Sequence, residues 1–293
     1  MIKINLAAES LGEAFSAFLS YCKFKNLSSS TLSNYKETCS KMVAEIGAET
    51  PVNAAITKRN VQAYIMTLKG DINTHIARIR VFVYWCFDEY QLPRFRISLI
   101  KQEEKYKEPY TREEIRKMLE KPTSADFDDW RNWCLVSFFC STGARIGSAV
   151  EVKVKDINFR DKQVILTKSK TKKVQVIPLS DKLAETLKFY ISLWNPAADD
   201  YLFPSSRTRD KIDTKALSHS LANYIKRRGI EKTGVHRFRN TFAKEFIVSG
   251  GNAFVLQQIL GHSSMDMTRR YVKLYSADLA INFDKFCLLD NLN

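Results

Sequence analysis

Apolar residues return every three or four positions through Leu11, Phe15, Phe18, Leu19 and Cys22, and again through Leu32, Tyr35, Cys39, Met42, Val43 and Ile46. That period lines one stripe of a helix, so two amphipathic helices are expected on either side of the polar turn Asn26-Leu-Ser-Ser-Ser. Thr57 is placed to cap a third helix, with Val61, Tyr64, Ile65 and Leu68 on its inner face. After Gly70-Asp71 the pattern resumes through Ile76, Ile79, Phe82, Val83 and Cys86. Residues 1–94 therefore read as a small helical bundle.

Between Pro93 and Pro109 the periodicity stops and charge rises, in Arg94-Phe-Arg-Ile-Ser-Leu-Ile-Lys-Gln-Glu-Glu-Lys-Tyr-Lys-Glu. Residues 95–108 are expected to link two domains. A capping box, Thr111 with Glu114, restarts helix, and Trp130, Trp133, Cys134, Phe138 and Phe139 describe a deeply buried one. From Val152 to Leu179 the period shortens to two, in VKVKDINF, QVILT and VQVIPL, with polar turns at Arg160 to Lys162 and Ser169 to Lys173. This predicts a small antiparallel sheet. Helices are expected again over Leu183 to Leu193, through Leu217, Leu221, Tyr224 and Ile225, and through Phe238, Phe242, Phe246 and Ile247 up to Gly250-Gly251. A short helix from Ala253 to Leu260 should end at Gly261, and a last one carries Tyr271. The expected fold is mainly α with a small antiparallel β-sheet. A mixed α/β second domain spans 109–293 and carries a tail helix from about residue 277.

The bulk chemistry narrows the partner. With 46 Lys and Arg against 32 Asp and Glu, the formal charge of the 293 residues is +14, which suits a polyanion such as nucleic acid. A solvated lysine-rich surface gives the same total, so the charge does not decide alone. The cysteines Cys22, Cys39, Cys86, Cys134, Cys140 and Cys287 show no C-x-x-C spacing and read as reduced core thiols. The four histidines, His75, His219, His236 and His262, are not paired as zinc ligands are, so no metal and no other cofactor is expected. The N-terminus lacks the unbroken apolar stretch of a signal peptide, and no segment reaches the ~18 apolar residues of a membrane span. A cytoplasmic protein is expected, without a membrane partner.

Four separated segments carry chemistry: Thr142-Gly-Ala-Arg145, Lys170 ahead of Ile177-Pro-Leu, His236-Arg-Phe-Arg239, and Leu260-Gly-His262 followed by Tyr271. Together they resemble the tyrosine recombinase, or phage integrase, family. Its pattern is T-G-x-R, a β-hairpin lysine, H-x-x-R, L-G-H, and a tyrosine nine positions past the last histidine, which here is Tyr271. The resemblance runs from about residue 10 to about residue 280. It implies a core-binding helical domain, a catalytic domain, and a C-shaped clamp on DNA.

Each residue type also fits the chemistry. Breaking a phosphodiester builds charge on two non-bridging oxygens, and the planar forks of Arg145 and Arg239 suit that charge. Alone, either is more simply a surface or salt-bridged arginine. His236 and Arg239, three apart at a helix start, share a face and can address one anion. His262, otherwise a polar residue after a helix end, joins them in bonding phosphate or moving a proton. Lys170 stands eight residues before Pro178, where the family keeps the general acid for the departing 5′ oxygen. Lys168, Lys172 and Lys173 crowd the same turn, Lys172 and Lys173 as DNA contacts. Tyr271 is the expected nucleophile, forming a phosphotyrosyl ester without ATP or metal, and Tyr275 is its rival one turn later. Two departures stand out. Ser148 occupies the usual acidic position three after the first arginine, leaving Glu151 as a substitute buttress, and Asn240 occupies a position that is often histidine.

Further phosphate contacts are expected from Lys58 and Arg59, Arg78 and Arg80, and the run Lys226, Arg227 and Arg228. In the tail, Leu279, Phe283, Phe286 and Leu289 form a helical stripe, and the family implies docking on a neighbour in a homotetramer bound to double-stranded recombination sites. Packing on its own domain is the alternative. Rival functions are a type IB topoisomerase, a DNA-binding protein without catalysis, and a metal-dependent nuclease. The nuclease lacks a compact carboxylate cluster in the sequence.

Overall fold

A computed structural model describes residues 9–101, 107–166, 174–262 and 264–274. The chain divides into two compact units, Met1–Glu104 and Lys105–Asn293. In the first, α1 (Leu11–Phe24) opens with a capping box between Ser10 and Glu13, and α2 (Ser29–Ile46) is capped by Ser28. A short α3 (Val52–Ala55) follows. Thr57 caps α4 (Lys58–Thr67) and Asp71 caps α5 (Ile72–Glu89), each side chain accepting a backbone N–H that the first helical turn leaves without a partner. The apolar stripes meet in one core around Phe18, Met42, Ile76 and Phe82, with the Phe18 and Phe82 rings 5.1 Å apart.

The stretch expected to begin a linker is docked on this unit. Ile97 is buried, its N–H donates to the Tyr84 hydroxyl at 3.2 Å, and the Asn73 amide pairs with both backbone groups of Ile100. Phe95 and Ile97, two apolar residues inside a charged run, supply the burial that holds it.

The second unit begins with α6 (Arg112–Leu119), whose Thr111–Glu114 capping box forms as expected, and α7 (Phe127–Thr142), which is buried along most of its length. A four-residue α8 (Ile146–Ala149) leads to a 3-10 turn at Val154–Asp156. The sheet is β1 (Ile157–Asn158), β2 (Gln163–Leu166) and β3 (Gln175–Pro178), in the order β1-β2-β3 and antiparallel throughout. Val164 stands opposite Ile157 on one side and Ile177 on the other. The alternation Val152 to Lys155 does not continue as strand, because the Asp156 carboxylate accepts the Lys153 N–H at 2.9 Å and closes the chain into the 3-10 turn.

Five helices complete the described part of this unit: α9 (Asp181–Trp194), α10 (Thr214–Arg227), α11 (Val235–Val248), α12 (Ala253–Leu260) and α13 (Met265–Leu274). Its core gathers Phe138, Phe139, Tyr190, Leu221 and Phe238, while Ala243, Ile247, Leu256, Leu260 and Tyr271 form a smaller cluster beside it. The fold is thus mainly α with a small antiparallel sheet. Cys22, Cys39, Cys86 and Cys134 are buried unpaired thiols and Cys140 is half-buried. Cys287, the Ser169 to Lys173 turn and the tail from residue 277 lie outside the described residues. No described helix is long and apolar enough to cross a membrane.

Candidate active site

The end of α7 sets the first arginine. Gly143 takes φ +60°, where an added Cβ would lie 2.6 Å from Phe242 Cδ1 and 2.7 Å from Leu260 Cδ2, so only glycine lets the chain reverse this close to α11 and α12. Two residues on, Arg145 stands just before the first turn of α8 with its side chain half-buried. Arg239 comes from the first turns of α11, where its neighbour Phe238 is fixed in the main core. Only 3% of Arg239 is exposed.

One backbone oxygen joins the two. α12 ends because Gly261 adopts φ +60°, leaving the last carbonyls at the negative end of the helix dipole. The Leu260 carbonyl accepts from Arg239 Nη2 at 2.7 Å and from Arg145 Nη1 at 3.3 Å, and the Gly143 carbonyl accepts from Arg239 Nη1 at 2.9 Å. Burial, and then the charge of Arg145, lowers the Arg239 pKa to about 10; burial also lowers that of Arg145. Two guanidinium groups that repel one another, oriented by neutral carbonyls, make a site that gains from an anion.

The other candidates converge on the same place. The Tyr271 ring from α13 stacks with that of His262, with centroids 6.3 Å apart and planes 8° from parallel. His262 Nδ1 is 2.8 Å from the hydroxyl of the fully buried Thr268, three residues before Tyr271 on the same helix face. Burial, then Arg239, Arg145 and His236, lowers the His262 pKa to about 4, so its ring is neutral at pH 7. His236 remains exposed, yet partial desolvation and the charges of Arg239, Lys107, Arg145 and Arg270 lower its pKa as well. The Tyr271 hydroxyl donates to Asn240 Oδ1 at 3.0 Å with 7% of the residue exposed; burial raises its pKa while Arg239, Arg270 and Arg145 oppose the rise.

Five of the six expected site residues, Arg145, His236, Arg239, His262 and Tyr271, thus act on one another. The sixth, Lys170, lies with Lys168, Lys172 and Lys173 outside the described residues, as does Tyr275. Strand β3 is tied to the end of α12 that the arginines share, because Gln175 Nε2 at its start donates to the carbonyls of Ile259 and Gln258 beside Leu260. Glu151, offered as a buttress for Arg145, is ion-paired with Lys211. Arg145 donates to the Leu260 carbonyl, a group with no side-chain signature.

The expected DNA contacts divide. Lys58 and Arg59 are exposed in the first turn of α4, and Lys226 is exposed late in α10. Arg78 is directed inward, Nη1 donating to Thr38 Oγ1 at 3.1 Å, and Arg80 lies over the Tyr84 ring at 5.6 Å. Arg227 pairs with Asp129, and Arg228 pairs with Glu120 at 3.5 Å while covering the Tyr224 ring at 5.0 Å. Arg78, Arg227 and Arg228 are therefore engaged within the chain rather than presented freely. Sequence reasoning also passed over Thr268, Lys107 and Arg270. Of these, only Thr268 had a local signal, its helical spacing from Tyr271.

Against known proteins, the model of the phage integrase family matches residues 109–277. A tyrosine recombinase of Pseudothermotoga lettingae is 32% identical over 160 residues, which are 54% of this chain and 54% of that protein, so the chain spans about half its length. The tyrosine recombinase XerA of Pyrococcus furiosus is 25% identical over 96% of each chain. A lambda integrase tetramer bound to a Holliday junction shares the fold, with a TM-score of 0.70 and 18% identity over 91% of this chain and 78% of that one. The family match covers more than half of the 293 residues. The chain belongs to the phage integrase family and is an enzyme of the tyrosine-recombinase class, with site-specific DNA recombination as its activity. Among the described residues no group of three or more His, Cys, Asp and Glu is placed to hold a metal ion.

Proposed function

We propose that this chain performs site-specific recombination through a covalent 3′-phosphotyrosyl bond made by Tyr271, passing through a Holliday junction. Arg145 and Arg239 would hold the two non-bridging oxygens of the scissile phosphate, replacing part of their contact with the Leu260 carbonyl. The Tyr271 oxygen attacks phosphorus, the bond to the 5′ oxygen breaks, and that oxygen takes a proton from the Lys170 ammonium. Neutral His236 or His262 is suited to accept the phenolic proton. The ester keeps the energy of the broken bond, so rejoining runs the same steps backward with a new 5′ hydroxyl and draws on no nucleotide hydrolysis. The observation that carries this reading is the convergence of both guanidinium groups on one carbonyl, with their charges acting on the Tyr271 hydroxyl.

Residues 1–94 are proposed as a core-binding domain and 109–293 as the catalytic domain, on double-stranded sites reached in the cytoplasm. Lys58, Arg59 and Lys226 are the preferred phosphate contacts. Assembly as a homotetramer through tail exchange fits an apolar cavity of about 600 Å³ on the second unit, lined by Tyr110, Ile115, Cys140, Phe242 and Phe246. A stripe such as Leu279, Phe283, Phe286 and Leu289 would fill it. The test is strand exchange between two supercoiled plasmids carrying a duplex selected by the protein from a random pool, with EDTA present. Recombinant plasmids are expected; relaxation without site preference would instead indicate a topoisomerase.

A further inference from the structure

The Asn240 amide lies between two groups with opposite requirements. Nδ2 donates to the Lys107 carbonyl at 2.9 Å, and Oδ1 accepts the Tyr271 hydroxyl at 3.0 Å. A carbonyl only accepts, so Lys107 decides which end of the amide faces the tyrosine; turned over, the amide would set two oxygens against each other. With the amide oxygen fixed toward it, the hydroxyl has to donate. In the resting site its proton is held by Asn240; an amide oxygen is no base, so that proton leaves Asn240 for one of the neutral histidines only as the phenol attacks. Asn240 is 5% exposed and Tyr271 7%, so water competes little for either bond. Asn240 also follows Arg239 directly on α11, which places the tyrosine's acceptor and half of the arginine clamp on consecutive residues. Lys107 has a second influence, since its charge reaches His236.

We propose that Asn240 is a positioning residue that holds the Tyr271 hydroxyl in a single orientation, proton toward the amide, and ties it through the Lys107 carbonyl to the chain entering the second unit. The bond stands on geometry alone; its consequence for catalysis rests on the reading of Tyr271 as nucleophile. A side chain that merely filled space would be replaceable by any residue of similar volume. A one-way hydrogen bond would not, because removing the acceptor and charging it act on the phenol in opposite directions.

The test compares Asn240→Leu, which has neither donor nor acceptor, with Asn240→Asp, which keeps the acceptor, loses the donor and covers the case in which the leucine variant does not fold. Full-length protein carrying carbon-13 at the tyrosine ring carbon bonded to oxygen is titrated by NMR, the Tyr271 signal being assigned with Tyr271→Phe. The expected result is that Tyr271 ionises at lower pH than wild type in Asn240→Leu and at higher pH in Asn240→Asp. Single-turnover cleavage of a nicked duplex by Asn240→Leu should fall about tenfold, with DNA affinity within about twofold. Titration unmoved in both variants, or moved the same way in both, overturns the proposal, as does cleavage by Asn240→Leu at the wild-type rate. If the wild type itself does not cleave while the opposed shifts appear, the positioning bond is supported and the reading of the function fails.

Discussion

His262 shows how one residue's surroundings set its chemistry. Burial and three neighbouring cationic or titratable groups bring its pKa from the ordinary 6.5 to about 4, and the Thr268 hydroxyl supports the ring in place. The folded state therefore refuses a proton that the unfolded chain accepts. Stability owed to neutral His262 is complete above pH 6.5 and is lost as pH falls toward 4. Urea denaturation of wild type and His262→Gln at pH 7 and pH 4.5 should show wild type losing about 1–3 kcal/mol more than the variant. Parallel losses would mean that the ring is not held neutral. Residue-scale motifs were readable in the sequence because Arg145, His236, Arg239, His262 and Tyr271 each keep a side chain suited to phosphate chemistry. The Leu260 carbonyl that joins the arginines was not readable, since every residue has such a group and only the end of α12 exposes this one. Asn240 was visible as a departure, but its bond to Tyr271 spans 31 positions and needs the fold to close.

At the scale of elements, the most legible features were local. Thr57 and Thr111 cap the helices that follow them because a short oxygen-bearing side chain reaches an N–H two or three residues on, whatever the rest of the chain does. Gly261 likewise ends α12 where its sequence places the stop. The alternation over Val152 to Lys155 misled because a period of two says nothing about competition from Asp156, and α3 and α8 are too short for periodicity to register. Gly143 links element geometry to the site, since its turn closes α7 and its carbonyl holds Arg239. Gly143→Ala should cost about 1–3 kcal/mol from the left-handed backbone and the contacts with Phe242 and Leu260. Chemical denaturation measures that loss. Cleavage should fall in the fraction that stays folded, and a variant as stable as wild type would contradict the close packing described at this turn.

At the scale of the whole molecule, a chain of formal charge +14 brings two cationic side chains together around one carbonyl in its second unit. General charge supplies attraction to DNA, and in the proposed reading the paired arginines hold one phosphate. Deleting residues after Ala277 should leave cleavage of single sites within a few fold while weakening assembly on paired sites, measured by analytical ultracentrifugation of the DNA complex. Unchanged assembly would rule out the tail as the link between protomers. The central claim is the covalent role of Tyr271, and it is tested by incubating a nicked selected duplex with wild type, Tyr271→Phe and Tyr275→Phe, then separating the products under denaturing conditions. A protein-linked DNA band is expected with wild type and Tyr275→Phe and none with Tyr271→Phe. A band that survives in Tyr271→Phe, or disappears in Tyr275→Phe alone, would contradict it.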